Sequence, residues 1–431
     1  MTKATSKVLS RAKARSKTAF PVVGIGASAG GLEACSELLK HLPGHPGVAV
    51  VLVQHLDPNH PSHLSEILQR TSKMPVAEVT DGMKVEVDHV YIIPPNVKIR
   101  IADMALKLTP RETVAGCHLP IDEFFRSLAE SCDGTAIGVV LSGTATDGTV
   151  GLKAIKAAGG ITFAQDEGTA KYPGMPNSAI ASGCVDFVLP PGQIAEEILR
   201  LGAHLLVAMP VAETGKPQGD GLKRIFSLLR GVTGVDFSHY KQTTINRRIQ
   251  RRLIIHQLVT FDEYAAFLET HPEEIEAAYQ DALIHVTSFF REPETFAALE
   301  KQVFPVLLKN RMEGEPIRVW LPGCSTGEEA YSVAISLTEF MGDSPDAPVI
   351  QVFGTDVSER VVAQARKGLF EEGIEEHVSA ERLRRFFTRV ERGWQIGKEI
   401  RDRCVFARQN VIKDPPFSKI DLVICRNVLI Y

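Results

Sequence analysis

From Phe20 to about Ala208, short apolar runs alternate with segments of helical spacing: "FPVVGIGA", then "GLEACSELLKHL", then "VAVVLVQH", and later "AIGVVLS" followed by "GLKAIKAAG". Short apolar runs separated by helices predict a parallel sheet covered on both faces. The segment "AMPVAETGKPQGDG" breaks the pattern with Pro, Gly and polar residues and reads as a linker. From about Leu222 to Pro272 the spacing is helical throughout, in "LKRIFSLLRG", "TTINRRIQRRLIIHQL" and "TFDEYAAFLETH". A second alternating region begins near Phe296, with strands expected at "IRVWLPG", "PVIQVFGTD" and "DLVICRN". The fold class expected is therefore α/β with a parallel-sheet domain, a small all-α module and a second α/β domain. The boundaries fall at a disordered basic tail 1–19, a first domain 20–207, a linker 208–220, a helical module 221–284 and a final domain 285–431.

Composition narrows the function classes. The chain of 431 residues is 44% hydrophobic and 23% charged, the balance of a soluble protein of two or three domains. A net charge of −4 argues against overall attraction to nucleic acid, and no run approaches the ~18 apolar residues of a membrane span. Seven cysteines without a CxxC pair suggest neither a zinc site nor a disulfide framework, so no metal and a cytoplasmic location are expected. The opening "MTKATSKVLSRAKARSK" has no apolar h-region and so does not read as a secretory signal. An organelle-targeting segment has a similar composition.

"GIGASAGG" admits two readings. As a dinucleotide loop it needs an acid at the end of the next strand to hold a ribose, but "VAVVLVQH" ends in Gln54 and His55, and the nearest acid, Asp57, lies beyond it. As G-x-S-x-G it exposes Ser28 on a strand-to-helix turn, with the following N–H groups facing an oxyanion. A base and an orienting acid are then required. His55 ends the second strand, and Asp147 follows the strand "AIGVVLS" in "LSGTATDGTVG". If the three strands are parallel, Ser28, His55 and Asp147 emerge on one carboxyl rim, where serine, base and acid can act together. The plainer alternatives are a chance G-x-S-x-G and a helix-capping aspartate; His60 and His63 read as cap or surface residues.

The second α/β region carries "LPGCSTGEEAYSV", a loop of small residues followed by Glu328 and Glu329 in place of the lysine of a phosphate-binding loop. Carboxylates there repel phosphate and suit a cationic ligand such as S-adenosylmethionine. Asp356, ending "VIQVFGTD", is placed to bind ribose hydroxyls. The plain reading is a helix capped by Ser325 or Thr326 with two glutamates in its first turn. In "NRRIQRR", Arg247, Arg248, Arg251 and Arg252 fall at i, i+1, i+4 and i+5, which predicts one basic helical face.

Two resemblances join these motifs. "VVGIGASAGG", "VVLVQHL", "PIDEFFRSLAE", "GVVLSGTATDGTVGLKAIKAAGG" and "AQDEGTAKYPGMPNSAIASGCVD" make residues 20 to 200 similar to the catalytic domain of chemotaxis protein-glutamate methylesterases. That resemblance implies Ser28, His55 and Asp147 as catalytic residues, no cofactor, and hydrolysis of glutamate γ-methyl esters on chemoreceptors, sometimes with glutamine deamidation. Thr144 stands where the family often has methionine, and the phosphorylatable receiver domain that precedes the family's enzyme is missing. "HVTSFFRE", "CVFARQNV" and "DLVICRNVLIY", with the helical module, resemble chemotaxis receptor glutamate methyltransferases. This second resemblance implies a Rossmann-like domain whose S-adenosylmethionine pocket is lined by Thr287, Arg291, Glu329, Asp356, Asn410, Val411, Arg426 and Asn427. Family members often have asparagine where this chain has His285. It also implies substrate docking by Arg247, Arg248, Arg251 and Arg252, a small β-subdomain at "FFTRVERGWQIGKEIRDRCVFARQ", and further elements past "CRNVLIY", so that the methyltransferase domain is expected to be truncated. The partners implied are chemoreceptor-like signalling proteins and a separate receiver or histidine-kinase protein. Two other classes stay open: a noncatalytic receptor-binding scaffold and a general serine esterase.

Overall fold

A computed structural model describes residues 20–56, 62–111, 119–132, 134–208, 220–283, 287–309, 314–342, 347–391 and 393–428. The basic tail, Asp57, His60, His285 and residues 209–219 of the expected linker lie outside the described residues. The chain divides into two compact units, one running to Leu222 and including Asn246–Ala266, the other made of Lys223–Ile245 and Phe267–Tyr431.

Among its described residues the first unit contains ten strands: β1 (Val22–Ala27), β2 (Ala49–Gln54), β3 (Val76–Glu78), β4 (Met83–Lys84), β5 (Val90–Ile92), β6 (Val97–Ala102), β7 (Ala105–Pro110), β8 (Ala136–Val140), β9 (Ile161–Gln165) and β10 (Phe187–Leu189). Its helices are α1 (Gly31–His41), α2 (Leu64–Gln69), α3 (Pro120–Ser131), α4 (Thr149–Ala158), α5 (Gly174–Ala181) and α6 (Pro191–Ala208). Seven strands form one sheet in the order β10-β9-β8-β1-β2-β5-β3, and every pairing is parallel. β4, β7 and β6 make a separate antiparallel sheet that the sequence pattern did not announce.

The apolar runs bury both faces. Val23, Ile25 and Ala27 of β1 and Val50 and Leu52 of β2 join the core under α1 and α6, while Val22, Ala49, Val51 and Val53 join the core under α3 and α4. Each of the valines, the leucine and the isoleucine among them contributes about 1.5–3 kcal/mol of burial. On the α3 face β1 presents glycines, and a Cβ at Gly24 would sit 2.9 Å from Leu128 and Phe125, while one at Gly26 would sit 2.3 Å from Ile121. The two glycines of "VVGIGA" therefore lie inside a strand and let α3 press against it; they wrap no nucleotide.

Helices α7 (Asp220–Thr233), α8 (Gln242–Ile255), α9 (Phe261–Thr270) and α10 (Pro272–Ala282) occupy the stretch read as helical. The division between units passes through α7, α8 and α9 rather than along the linker. Residues 246–255 of α8 belong to the first unit, and Ile254 is part of its core.

In the second unit α11 (Pro293–Ala298) and α12 (Phe304–Leu308) precede a parallel sheet of β11 (Ile317–Pro322), β12 (Ile350–Asp356), β16 (Cys404–Arg408) and β17 (Leu422–Val423), ordered β16-β12-β11-β17. Between them run α13 (Glu328–Met341), α14 (Glu359–Lys367), β13 (Leu369–Phe370), α15 (Ala380–Phe386), β14 (Phe387–Val390), β15 (Gly393–Ile396) and α16 (Lys398–Asp402). Helix α13 is buried from Ala330 to Thr338, and two of its buried hydroxyls are satisfied one turn back: Ser332 donates to Glu328 O at 2.6 Å and Thr338 to Ala334 O at 2.7 Å, whereas Ser336 Oγ is buried without a partner. The segment expected to form a β-subdomain splits. β14 and β15 form a hairpin joined by β13, whereas "CVFAR" pairs in parallel with β12 in the main sheet. Its alternation pattern could not distinguish the two destinations.

Candidate active sites

β1 lies between β2 and β8, so the chain leaves its carboxyl end with neighbours on both sides, at the point where strand order reverses. Ser28 follows β1, His55 follows β2 and Asp147 lies seven residues past β8. The structure brings the three together: Ser28 Oγ is 3.2 Å from His55 Nδ1, and His55 Nε2 is 2.8 Å from Asp147 Oδ2. Asp147 is 1% exposed, and its carboxylate also accepts hydrogen bonds from Ile121 N at 3.1 Å and Asp122 N at 2.9 Å in the first turn of α3. An acceptor-only carboxylate at a helix N-terminus fixes the tautomer: Nε2 carries the proton and Nδ1 is left as acceptor for the Ser28 hydroxyl. The close packing at Gly26 brings this helix terminus within reach of Asp147.

The turn around Ser28 is tightly held. Ser28 N donates to Ser142 O at 3.0 Å, Ser142 Oγ donates to Ala29 O at 2.8 Å, and Gly30 caps α1 with φ 70°. A Cβ at Gly143 would sit 2.9 Å from the Ser28 Cβ, so only glycine lets the loop before Asp147 pass beside the serine. Two residues further on, Ala145 has φ 63°, a conformation that costs a non-glycine residue on the order of 1–3 kcal/mol. Among the described residues, the N–H groups of Ala29 and Thr144 meet no acceptor. His63 precedes α2 and lies 3.5 Å from Glu66 on the surface, away from this constellation.

In the second unit all eight residues expected around S-adenosylmethionine line one cavity of about 400 Å³: Thr287, Arg291, Glu329, Asp356, Asn410, Val411, Arg426 and Asn427. Asp356 ends β12 and accepts from Ser325 N and Ser358 N, both at 3.0 Å. Each oxygen keeps a lone pair for a further donor. Glu329 pairs with Arg426 at 2.7 Å, and Arg426 also reaches Arg291 O and Glu292. Burial raises the Glu329 carboxyl above its ordinary range despite the opposing charge of Arg426. The sequence missed Ser325 and Gln409, which also line the cavity; Ser325 Oγ and Gln409 Oε1 are buried without a partner. Ser325 stands in the small-residue loop and Gln409 beside Asn410, which was their only signal. Helix α13 is capped by Gly327 at φ 95°, not by the side chain of Ser325 or Thr326. Positive φ recurs in the lining, at Ser325 and Asn427. Carboxylates, orphaned acceptors and strained backbone fit a cavity made for a cationic, hydroxyl-bearing ligand.

The four arginines do not form an exposed basic face. Arg248 is 5% and Arg251 1% exposed, and within the first unit they turn onto the carboxyl end of α4: Arg248 donates to Lys156 O and Ala157 O, and Arg251 donates to Gly160 O at 2.9 Å. Arg251 is also ion-paired with Asp186, which takes Lys156 at 3.1 Å as a second cation. Burial alone would raise the Asp186 carboxyl, but Arg251, Lys156 and a hydrogen bond from Thr162 together hold it well below the usual carboxylate range. Of the four, only Arg247 is exposed. The spacing gave the helical face correctly, but cationic side chains suit the carbonyls of a helix end as well as solvent.

A doubly wound sheet with a serine, histidine and aspartate on its carboxyl rim defines a hydrolase-like α/β domain, and the second cavity defines a nucleotide-type site on a Rossmann-like sheet. Residues 23–198 match the family model described as CheB methylesterase. Residues 220–283 match that of the CheR methyltransferase all-alpha domain, and residues 285–431 that of the CheR methyltransferase SAM binding domain. The chain thus contains a CheB methylesterase domain followed by the all-alpha and SAM binding domains of a CheR methyltransferase. It is 38% identical over 390 residues to a Rhodobacter capsulatus protein described as "Uncharacterized 104.1 kDa protein in hypE 3'region", covering 85% of this chain and 41% of that one. It is 37% identical over 182 residues to "Protein-glutamate methylesterase/protein-glutamine glutaminase 4" of Burkholderia thailandensis, covering 42% of this chain and 53% of that one. The chain spans about half the length of the curated relatives it matches. Among solved structures, the CheB methylesterase catalytic domain of Thermotoga maritima shares 30% identity with a TM-score of 0.39, covering 42% of this chain and 98% of that domain. Among the described residues no helix is long and apolar enough to cross a membrane.

Proposed function

We propose that this chain removes and adds methyl groups at glutamate side chains of chemoreceptor-like signalling proteins in the cytoplasm. The observation that carries the first activity is the hydrogen-bonded relay Ser28–His55–Asp147. Ser28 Oγ attacks the γ-carbonyl of a glutamate methyl ester while His55 Nδ1 takes its proton, and the N–H groups of Ala29 and Thr144 receive the oxyanion. His55 returns the proton to the departing methanol. Water, deprotonated by His55, then cleaves the γ-glutamyl ester of Ser28 and regenerates the hydroxyl. Asp147 stays ionised throughout and stabilises the imidazolium. A glutamine amide reacts by the same steps with ammonia as the leaving group.

The second unit is read as the site for S-adenosylmethionine, which supplies an electrophilic methyl group on its sulfonium. Asp356 would take the ribose hydroxyls, Glu329 would offset the charge of the amino group, and Ser325 and Gln409 would offer their free oxygens to ligand donors. Thr287, Arg291, Asn410, Val411, Arg426 and Asn427 complete the walls. Release of labelled methanol from receptor membranes premethylated at glutamate, compared between the chain and its Ser28→Ala variant, tests the esterase. Release that Ser28→Ala abolishes supports it. A folded chain that releases none, with or without a receiver partner, favours a noncatalytic scaffold. Equal turnover of unrelated small esters without preference for receptor substrates favours a general esterase.

A further inference from the structure

Beside the catalytic imidazole lies a second cavity, of about 240 Å³, walled by His55, Ile93, Pro94, Asn96, Arg111 and Pro120 among others. It shares two walls with the triad. His55 contributes its ring to both, and Pro120 opens α3, the helix whose next two N–H groups hold Asp147. Arg111 follows β7, and its backbone is tied to the turn at Asn96, Arg111 N donating to Asn96 O at 3.2 Å. Asn96 itself sits at φ 60°, a turn conformation asparagine tolerates. The guanidinium is thus brought to the cavity by a hydrogen-bonded turn that starts from β5 and β7.

Arg111 is the one fully charged residue among those lining this cavity, and among the described residues its guanidinium has no acceptor. A fork of five donors left unpaired in a concave wall next to a catalytic base suits a carboxylate, which it can hold through two parallel bonds. The groove on the other side of the serine has the opposite character. It is lined by Gly30 together with Glu33, Glu37 and Glu196, against Lys171 and His41. A substrate segment with a free carboxylate beside its ester is therefore repelled on the Gly30 side and attracted on the Arg111 side, and the field selects the direction in which it lies.

Resting on the esterase reading above, we infer that Arg111 is a specificity-determining residue that binds a free carboxylate of the substrate next to the ester being cleaved, so that the preferred substrate is an acidic peptide already partly demethylated. The volume admits one such side chain. The expected product of one turnover, a free glutamate, then helps seat the neighbouring ester for the next.

The test uses the full chain and two synthetic peptides that carry one glutamate γ-methyl ester, flanked in one by glutamates and in the other by alanines. The expected result is a preference for the acidic peptide of about 10- to 100-fold in kcat/KM, as one charge-assisted contact gives. It should reside in KM and shrink as salt is raised. Arg111→Gln removes the preference by losing the acidic peptide alone, Arg111→Lys retains part of it, and Arg111→Glu turns it toward a lysine-flanked peptide. Equal kcat/KM on both peptides in the unaltered chain overturns the inference, as does an Arg111→Gln loss of equal size on both. Ser28-dependent turnover of the alanine-flanked peptide keeps these outcomes separate from failure of the esterase reading itself.

Discussion

The two candidate sites are built in opposite ways. Around Ser28 the relay itself already has its partners: Asp147 accepts from His55 and from two backbone N–H groups, and the serine turn is tied to the loop beyond β8, while the N–H groups of Ala29 and Thr144 are left open beside it. Around Asp356 the groups are gathered but unfinished, with Ser325 Oγ and Gln409 Oε1 buried and unsatisfied in a cavity of about 400 Å³. The contrast follows from the task each site is read as serving. A proton relay works only when its atoms are held before the substrate arrives, whereas a binding cavity gains affinity by leaving polar groups for the ligand to satisfy.

The sharpest way to test that contrast is to remove a relay member. Ser28→Ala, or Asp147→Asn with its altered tautomer, is expected to lower ester turnover by on the order of 10⁴-fold while leaving S-adenosylmethionine binding intact. Methanol release and calorimetric titration on the same preparations check both halves.

A different dependence should emerge in the first unit's stability. Arg251→Met leaves Asp186 buried with Lys156 as its one remaining cation, and the expected loss is about 3–5 kcal/mol in urea unfolding, because the residual charge stays out of water. Asp186 has its carboxyl depressed in the folded chain. Its contribution is thus present in full above the unfolded carboxyl's pKa of about 4 and is lost as pH falls from there toward the folded value. Unfolding followed between pH 7 and pH 3 should show acid lability that the Arg251→Met variant largely lacks.

In the second unit, Asp356→Ala is expected to weaken S-adenosylmethionine by about 10- to 100-fold, the value of a charge-assisted contact, without affecting methanol release. Equal weakening from Val411→Ala would argue that apolar enclosure, not the acid, holds the ligand. The smallest effect is pH-dependent. The Glu329 carboxyl is raised by burial, so a cationic ligand has to displace its proton as pH falls toward that raised value. Affinity for S-adenosylmethionine should therefore decline mildly as pH falls from neutrality toward that raised value, with proton release detected by titration in buffers of different ionisation enthalpy. Glu329→Gln should flatten that decline.

Much of both sites could be read before the fold was known, for a specific reason. In a parallel sheet the carboxyl ends of the strands share one rim, so an apolar run followed at once by Ser28, His55 or Asp356 already states where the residue will stand. Arg111 offered no such cue, since it follows an antiparallel strand whose sheet the pattern did not predict. Ser325 and Gln409 were likewise unmarked, because an unsatisfied oxygen is a property of surroundings and not of spacing.

The arginines of α8 draw the line most clearly. Their spacing determined that Arg247, Arg248, Arg251 and Arg252 share a helix, just as the apolar runs determined the parallel sheets and the small residues "GCSTG" determined a close-approach loop. Tertiary structure alone decided what those elements meet. It seated Gly24 and Gly26 under α3 so that a helix terminus reaches Asp147, and it buried Arg251 against Asp186 rather than in solvent. Local sequence sets backbone geometry and which face is apolar. The partner of a long charged side chain is set by whichever carbonyls and carboxylates distant segments bring within reach.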